Sequence, residues 1–358
     1  MKLLFVALAL VALSSVALGG KWVQQIPSGP YFPPPRYFHS QAGAGNNAYI
    51  FGGEDGSSYF KDLFMYHTQQ NYVERLDSGN GPSARAGHCA QFLGKIVDTY
   101  VDSDNVTQTV IVRNDTYVVF GGFDGTNYYN DIWEFNLGTG VWTQIDDGTD
   151  SDDAAARAFH TCVPFDSGDG SDNLLIFGGT DGSSYFGPSD LHYYNYDDGT
   201  WHTPTDNTPN GIYPAGRAYI QGVNNGDNLY FFGGYNADGC LADTWLWNSN
   251  LSAWFSVPTP DSPAPLAAYA GWGDGGTYEI FGGWSNCNAA SSNLWSLSHS
   301  TPDWTLVAPS GITPPPRAAT VGSFHGNDYL IYGGATGSLV NGTLTVTNVY
   351  DDLWLYRH

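Results

Sequence analysis

Residues 117–145 read YVVFGGFDGTNYYNDIWEFNLGTGVWTQI. Tyr117-Val118-Val119-Phe120 is a strand by residue type. Gly121-Gly122 ends it, and an adjacent glycine pair marks a place where neighbouring chain approaches too closely for side chains, or where positive φ is needed. Asp124-Gly125 makes a tight turn. Asp131 to Phe135 is a second strand, and Trp142 adds a large apolar face one strand further on.

This order recurs six times. The glycine pairs begin at Gly52, Gly121, Gly178, Gly233, Gly282 and Gly333, spaced 69, 57, 55, 49 and 51 residues apart. The runs before them are AYIF, YVVF, LLIF, LYFF, YEIF and YLIY; those after are DLFMY, DIWEF, DLHYY, DTWLW, NLWSL and DLWLY. Tyr72, Trp142, Trp201, Trp254 and Trp304 supply the outer aromatic. A sheet of this size cannot bury both of its faces alone, so the units must pack against one another in a ring.

Composition agrees. The 358 residues include 45 Gly, 20 Pro and 15% aromatics, with 12 Lys+Arg against 35 Asp+Glu and a net charge of −23. Only four of the acids are Glu (Glu54, Glu74, Glu134, Glu279), and Asp favours turns where Glu favours helices. A helical bundle is excluded. So is a basic surface for nucleic acid, and 42% hydrophobic residues argue against disorder.

The repeats resemble the kelch repeat, a four-stranded propeller blade, over essentially all of residues 21–358. The fold class is therefore all-β, a six-bladed kelch β-propeller. The sixth copy stops at Tyr356-Arg357-His358, before its outer aromatic. Lys21-Trp22-Val23-Gln24-Gln25-Ile26 has the form of Val141-Trp142-Thr143-Gln144-Ile145, so the N-terminal strand around Trp22 is expected to close the last blade and leave no open edge.

Arg36, Arg85, Arg157, Arg217 and Arg317 fill one repeat position, which Leu266 takes in the fifth blade. Asp62, Asp131, Asp190, Asp243 and Asp352 fill another, taken there by Asn293. Two readings stay open. Each Arg ties to an Asp of its own or an adjacent blade, or the arginines ring one channel mouth and bind an anionic ligand. His39, His88 and His160 each follow an arginine by three residues. A metal would need three imidazoles within about 2 Å of one ion, whereas equivalent positions are spread around a channel, so these read as packing residues.

In GGEDGSSYF, GGFDGTNYY and GGTDGSSYF one aromatic of each pair is expected to pack between blades, since kelch repeats usually have a Tyr here. The second (Phe60, Tyr129, Phe186) is expected to reach the rim, where it could stack on a sugar or grip a peptide. The even cysteine count fits two disulfides. Cys240 and Cys287 lie in neighbouring loops; Cys89 with Cys162, on adjacent inner strands, differ in facing parity, which geometry could forbid. Insertions at 94–115 and 336–349 break the repeat length. Asp146–Asp153 and Asp166–Asp172 lack calcium-loop ligand order and read as solvated turns.

Met1-Lys2, the apolar run Leu3 to Leu18 and Ala17-x-Gly19 read as a signal peptide over residues 1–19, leaving a propeller over 20–358. Export suits the disulfides, and Asn105, Asn114, Asn250 and Asn341 are sequons, available for glycosylation in a eukaryotic source. The expectation is a secreted, monomeric binding module without cofactor, membrane insertion or nucleic-acid partner, recognising a protein or glycan through rim loops, since the kelch resemblance favours protein–protein interaction. The alternative is an extracellular propeller enzyme, galactose-oxidase-like or sugar-epimerase-like. The copper enzymes of that kind use a Tyr–Cys crosslink and an additional domain, for which six blades leave no room.

Overall fold

The computed structural model describes residues 17–76, 79–93, 97–101, 107–111, 116–166, 172–273, 276–325, 328–340 and 342–358. They build six antiparallel four-stranded blades around an axis. From the axis outward, blade 1 is Ser40–Ala44, Asn47–Phe51, Leu63–His67 and Tyr72–Arg75. Blade 2 is Cys89–Leu93, Thr116–Phe123, Tyr128–Asn136 and Val141–Asp146. Blade 3 is Ala158–Asp166, Asp172–Thr180, His192–Asn195 and Thr200–His202. Blade 4 is Val223–Asn225, Asn228–Asn236, Gly239–Asn248 and Ala253–Val257, and blade 5 is Ala270–Gly273, Thr277–Phe281, Leu294–Ser298 and Trp304–Ser310. Blade 6 takes Val321–His325, Asp328–Tyr332 and Leu353–Arg357 from the end of the chain and Ala17–Gln25 from its start. Each second strand is covered on both faces, which is why it reads as an unbroken apolar run; Tyr117, Val118, Val119 and Phe120 are all 0% exposed. Strand alternation puts the loops after the glycine pairs at one end of the ring, the loop face, and the two hairpins of each blade at the other.

The closure expected of Trp22 is present. Lys21 lies opposite Arg357 and Trp22 opposite Tyr356 in an antiparallel ladder. The buried indole touches Tyr356 at 5.1 Å and, in blade 5, Phe281 at 4.9 Å and Trp272 at 6.3 Å between ring centroids. The same strand runs parallel to Trp304–Ser310, pairing Ala17 with Val307 and Lys21 with Ser310, so blades 5 and 6 share one eight-stranded sheet. The strand thus starts inside the segment expected to be a leader.

Around the axis the blades are joined by a belt of backbone hydrogen bonds. The residue two past each arginine position is left-handed: Phe38, Gly87, Phe159, Tyr219, Ala268 and Ala319 have φ of 53°, 65°, 60°, 60°, 55° and 56°. Each donates its N–H to the carbonyl of its counterpart in the preceding blade at 2.6–2.9 Å, and Phe38 donates to Ala319 to close the circle. Left-handed backbone costs a non-glycine residue about 1–2 kcal/mol, and at the five positions other than Gly87 the belt's buried hydrogen bonds offset that cost. The rings of Phe38, Phe159 and Tyr219 meet one another at 4.4–5.6 Å and stopper the channel at the loop face. Below them lies a cavity of about 380 Å³ lined by the first strands of the blades.

The glycine pairs are explained by the blade that follows each one. At Gly52 (φ +64°) a Cβ would lie 2.7 Å from both the carbonyl oxygen of Arg85 and the His88 imidazole, and the N–H of Gly53 bonds that carbonyl at 2.9 Å. His39, His88 and His160 therefore wedge between blades, edge-on to Tyr332, Phe51 and Phe120 respectively. The insertions are hairpins: Val97–Val101 pairs with Thr107–Ile111, and Ala335–Val340 with Thr343–Val349. No helix among the described residues is long and apolar enough to cross a membrane.

Candidate functional site

The five arginines are sealed inside their own blades, at 0–1% exposure. Arg36 donates from Nη1 to the carbonyl of Gly52 (2.8 Å) and forks onto Asp62 (2.7 and 3.2 Å), while Nε bonds the carbonyl of Pro34. Arg85 with Asp131, Arg217 with Asp243 and Arg317 with Asp352 repeat the fork at 2.6–3.0 Å. The second oxygen of Asp131, Asp243 and Asp352 also accepts the indole N–H two residues on, which accounts for the Asp-x-Trp spacing. Arg217 and the indole N–H of Trp245 help hold Asp243 below the usual carboxylate range against the upward push of its own burial. A channel-mouth ring of guanidinium groups is thus absent from this arrangement, because every one of these side chains is turned inward.

Blade 3 departs from the expected pairing. A 3-10 turn at Pro188–Asp190 delays the third strand, so Arg157 reaches the backbone carbonyl of Asp190 at 3.4 Å and, among the described residues, hydrogen-bonds no carboxylate. Its Nη2 has no hydrogen-bond partner among the described residues, and burial lowers the guanidinium to about 10.

The second aromatic of each pair does not reach the rim as expected, because it is taken up by the buried arginine of its own blade. Phe60, Tyr129 and Phe186 lie over the guanidinium groups of Arg36, Arg85 and Arg157 at 4.4, 4.2 and 4.0 Å, as Tyr350 does over Arg317 at 4.3 Å. Their neighbours Tyr59, Tyr128 and Tyr185 pack between blades as expected: Tyr59 lies 6.1 Å from Phe123 and against Gly125 of blade 2, Tyr128 against Gly182 of blade 3, and Tyr185 beside Tyr235 of blade 4. Half-exposed, they line a funnel on the loop face that leads to the buried Tyr235, which sits 5.9 Å from Tyr185 and 6.2 Å from Tyr219. Tyr219 is the floor. Burial raises its phenol, and the nearby Tyr185, Tyr128, Glu54 and Tyr235 raise it further; Tyr59, Tyr185 and Tyr219 pack on one cluster with Tyr37, Phe38, Tyr235 and Trp284.

Glu54 is the carboxylate of this funnel. Its backbone pairs with Tyr37, whose phenol also hydrogen-bonds the carboxyl. Burial pushes Glu54 up to about 7; the Tyr37 hydrogen bond lowers it and the Asp55 charge raises it. Asp55, Asp124 and Asp181 stand at the rim, each accepting two backbone N–H groups of its turn at 2.7–2.8 Å. Those hydrogen bonds outweigh partial burial and hold the three below the usual range, Asp124 at about 2. Between Tyr37, Glu54 and the Ala335–Val349 hairpin runs a groove of about 710 Å³. Sequence reading missed Glu54, Tyr37, Tyr219 and Tyr235. The available signal was variability: the residue after each glycine pair is Glu54, Phe123, Thr180, Tyr235, Trp284 or Ala335, a position that repeat packing leaves free.

Both cysteine pairs are disulfides, Cys89–Cys162 with Cα atoms 5.8 Å apart and Cys240–Cys287 at 5.7 Å. Parity does not forbid the first, because neighbouring inner strands are splayed around the channel and are not paired in register. With all four cysteines so used, none is left to crosslink a tyrosine. Among the described residues no three His, Cys, Asp or Glu converge to hold a metal. Asn250 is exposed in a turn; Asn105, Asn114 and Asn341 lie outside the described residues, as does most of Asp166–Asp172.

The family model described as the KLHDC2/KLHL20/DRC7 Kelch-repeats domain matches residues 12–167, 96–269 and 149–334. The chain is similar to Kelch domain-containing protein 3 of Homo sapiens, 28% identical over 270 residues, 72% of this chain and 63% of that protein. It is 26% identical over 251 residues to Kelch domain-containing protein 10 of Rattus norvegicus, covering 69% and 55%. With the Leucine-zipper-like transcriptional regulator 1 homolog of Drosophila melanogaster it shares 29% over 246 residues, 56% of this chain and 24% of that one. The chain thus spans from about a quarter to somewhat under two thirds of these relatives. With glycine pairs, buried arginines and outer tryptophans all in their repeat positions, the chain belongs to the kelch-repeat family.

Proposed function

We propose that this protein is an exported, monomeric binding module that holds a protein ligand on its loop face. The observation that carries the reading is the tyrosine funnel. Half-exposed aromatic rings with polar tips are the groups that protein interfaces favour, and here they converge above a stoppered channel with a groove leading in. The buried arginines and their stacked aromatics set the rim loops in place and do not themselves meet the ligand. The two disulfides and the exposed Asn250 sequon suit an oxidising, glycosylating route of export.

Affinity capture with the full chain tests this, comparing wild type with Tyr185→Ala on the loop face and Thr139→Ala on the hairpin face. Loss of the captured protein with the first and retention with the second is expected; capture indifferent to Tyr185 sinks the reading. N-terminal sequencing of the exported protein should start at Gly20, and a retained Met1 removes the export proposal.

A further inference from the structure

The loops that frame the funnel are one-sided in charge. Residues 54–62, 123–131, 180–190, 235–243, 284–293 and 335–352 hold many carboxylates and one basic side chain, Lys61. Asp62, Asp131, Asp243 and Asp352 are consumed by the buried arginines. Among the described residues no basic side chain hydrogen-bonds Glu54 at the funnel or Asp55, Asp124 and Asp181 at its rim: the three aspartates accept backbone N–H groups and Ser, Asn or Tyr side chains, Glu54 bonds a phenol, and the one cation felt by any of them is the buried Arg157 near Asp181. Tyr59, paired with Glu54 along the backbone, stands near both Glu54 and Asp124, and Tyr128 stands near Asp181, with Tyr185 and Tyr235 continuing the wall 5.9 Å from each other. Aromatic faces and an unneutralised carboxylate together attract an ammonium or guanidinium group and repel an anion.

We infer that the group the funnel admits is the basic side chain of a lysine or arginine in the protein partner, with Glu54 as its counter-ion and the tyrosines as its cage. This rests on the loop face being the protein-binding face. The groove between Glu54 and the hairpin carries the flanking peptide, since Leu344, Val346, Thr347 and Asn348 line its other wall with no charge to oppose it. The groups facing Glu54 are Tyr37, Asp55 and Tyr59 from its own blade, Tyr219 from blade 4, and no titratable side chain from the hairpin. A buried carboxyl without a cation holds its proton too tightly; an arriving cation strips that proton, so binding strengthens as pH rises through neutrality.

The test is selection from a library of random heptapeptides with blocked ends, displayed to the full-length protein. Selected peptides should share a Lys or Arg whose replacement by Gln weakens binding about tenfold or more. Glu54→Gln should weaken the selected peptide about tenfold at unchanged thermal stability, and Glu54→Asp by less, because it keeps the charge but withdraws it. Wild-type affinity should fall severalfold between about pH 8 and about pH 6, and that of Glu54→Gln should not. Acidic or neutral peptides that bind, lose affinity with Tyr185→Ala and ignore Glu54→Gln overturn the cation inference while leaving protein binding intact. A selection yielding no peptide sensitive to Tyr185→Ala overturns both.

Discussion

Blades 2 and 5 solve one structural problem with opposite chemistry. Blade 2 ties its first and third strands with Arg85, 1% exposed and forked onto Asp131. Blade 5 puts Leu266, 4% exposed, against Gly283 and carries Asn293 where the aspartate would be. Both blades form, and both hand their glycine pair to the next blade through the same backbone bond, Gly122 to Arg157 and Gly283 to Arg317. The ion pair is therefore one way of filling this space. What the space does not accept is half of a pair, because a lone buried charge keeps its desolvation cost and loses its partner. Blade 3, where Arg157 hydrogen-bonds no carboxylate among the described residues, stands closest to that condition.

The largest effects should come from breaking the closure that blade 5 shares with blade 6 and from leaving half of an ion pair in blade 2. Trp22→Ala removes the indole that spans blades 5 and 6, and is expected to cost about 3–5 kcal/mol in denaturant unfolding. Asp131→Ala strands Arg85 and should cost about 3–5 kcal/mol as well. If either variant unfolds at the wild-type midpoint, the corresponding account is wrong.

A second contrast separates blades 1–3, which wedge histidines against their neighbours, from blades 4–6, which use Ile220, Tyr269 and Thr320. Burial and the adjacent arginines lower His39 and His160 to about 3 from an ordinary value near 6.5, and His88 is lowered in the same way. The unfolded chain takes up these protons below about pH 6.5 and the folded chain does not until about pH 3, so stability falls as pH drops through that window. Each histidine contributes a slope of at most about 1.4 kcal/mol per pH unit there. His160→Ile, copying blade 4, should shrink the slope between about pH 6 and pH 4 by one such contribution; an unchanged slope refutes the wedge reading. The smallest effect belongs to the double change Arg85→Leu with Asp131→Asn, which copies blade 5 into blade 2. It should lie within about 1.5 kcal/mol of wild type, and a loss as large as that of Asp131→Ala would show that blade 5 depends on more than the paired replacement.

These comparisons also mark how far the sequence could be read. Ring, blade count, closure by Trp22 and the Cys240–Cys287 pair were legible in the repeat, because repetition averages out local ambiguity and leaves the packing constraints visible; Cys89–Cys162 stayed open, because parity along a strand does not report the splay between blades. The coupling of Leu266 with Asn293 was legible for the same reason. The site was not. Tyr59 and Phe60 are adjacent aromatics, and period-two alternation says that they point apart without saying which points inward. The stacking of Phe60 on Arg36 decides it, and that contact depends on how deeply the arginine is buried. The turn at Pro188–Asp190 likewise gives no warning beyond two extra residues.

The seam in blade 6 has a mechanical consequence. Lys21 and Arg357 sit opposite each other at one end of their ladder. Tension applied between these two residues loads the rungs one after another, like a zip fastener, since antiparallel hydrogen bonds lie across the strands. A grip on any other pair of blades would have to shear whole sheets. The toroid thus carries a built-in tear line, reinforced by the short parallel overlap of Ala17–Gln25 with Trp304–Ser310 and by the Trp22 indole.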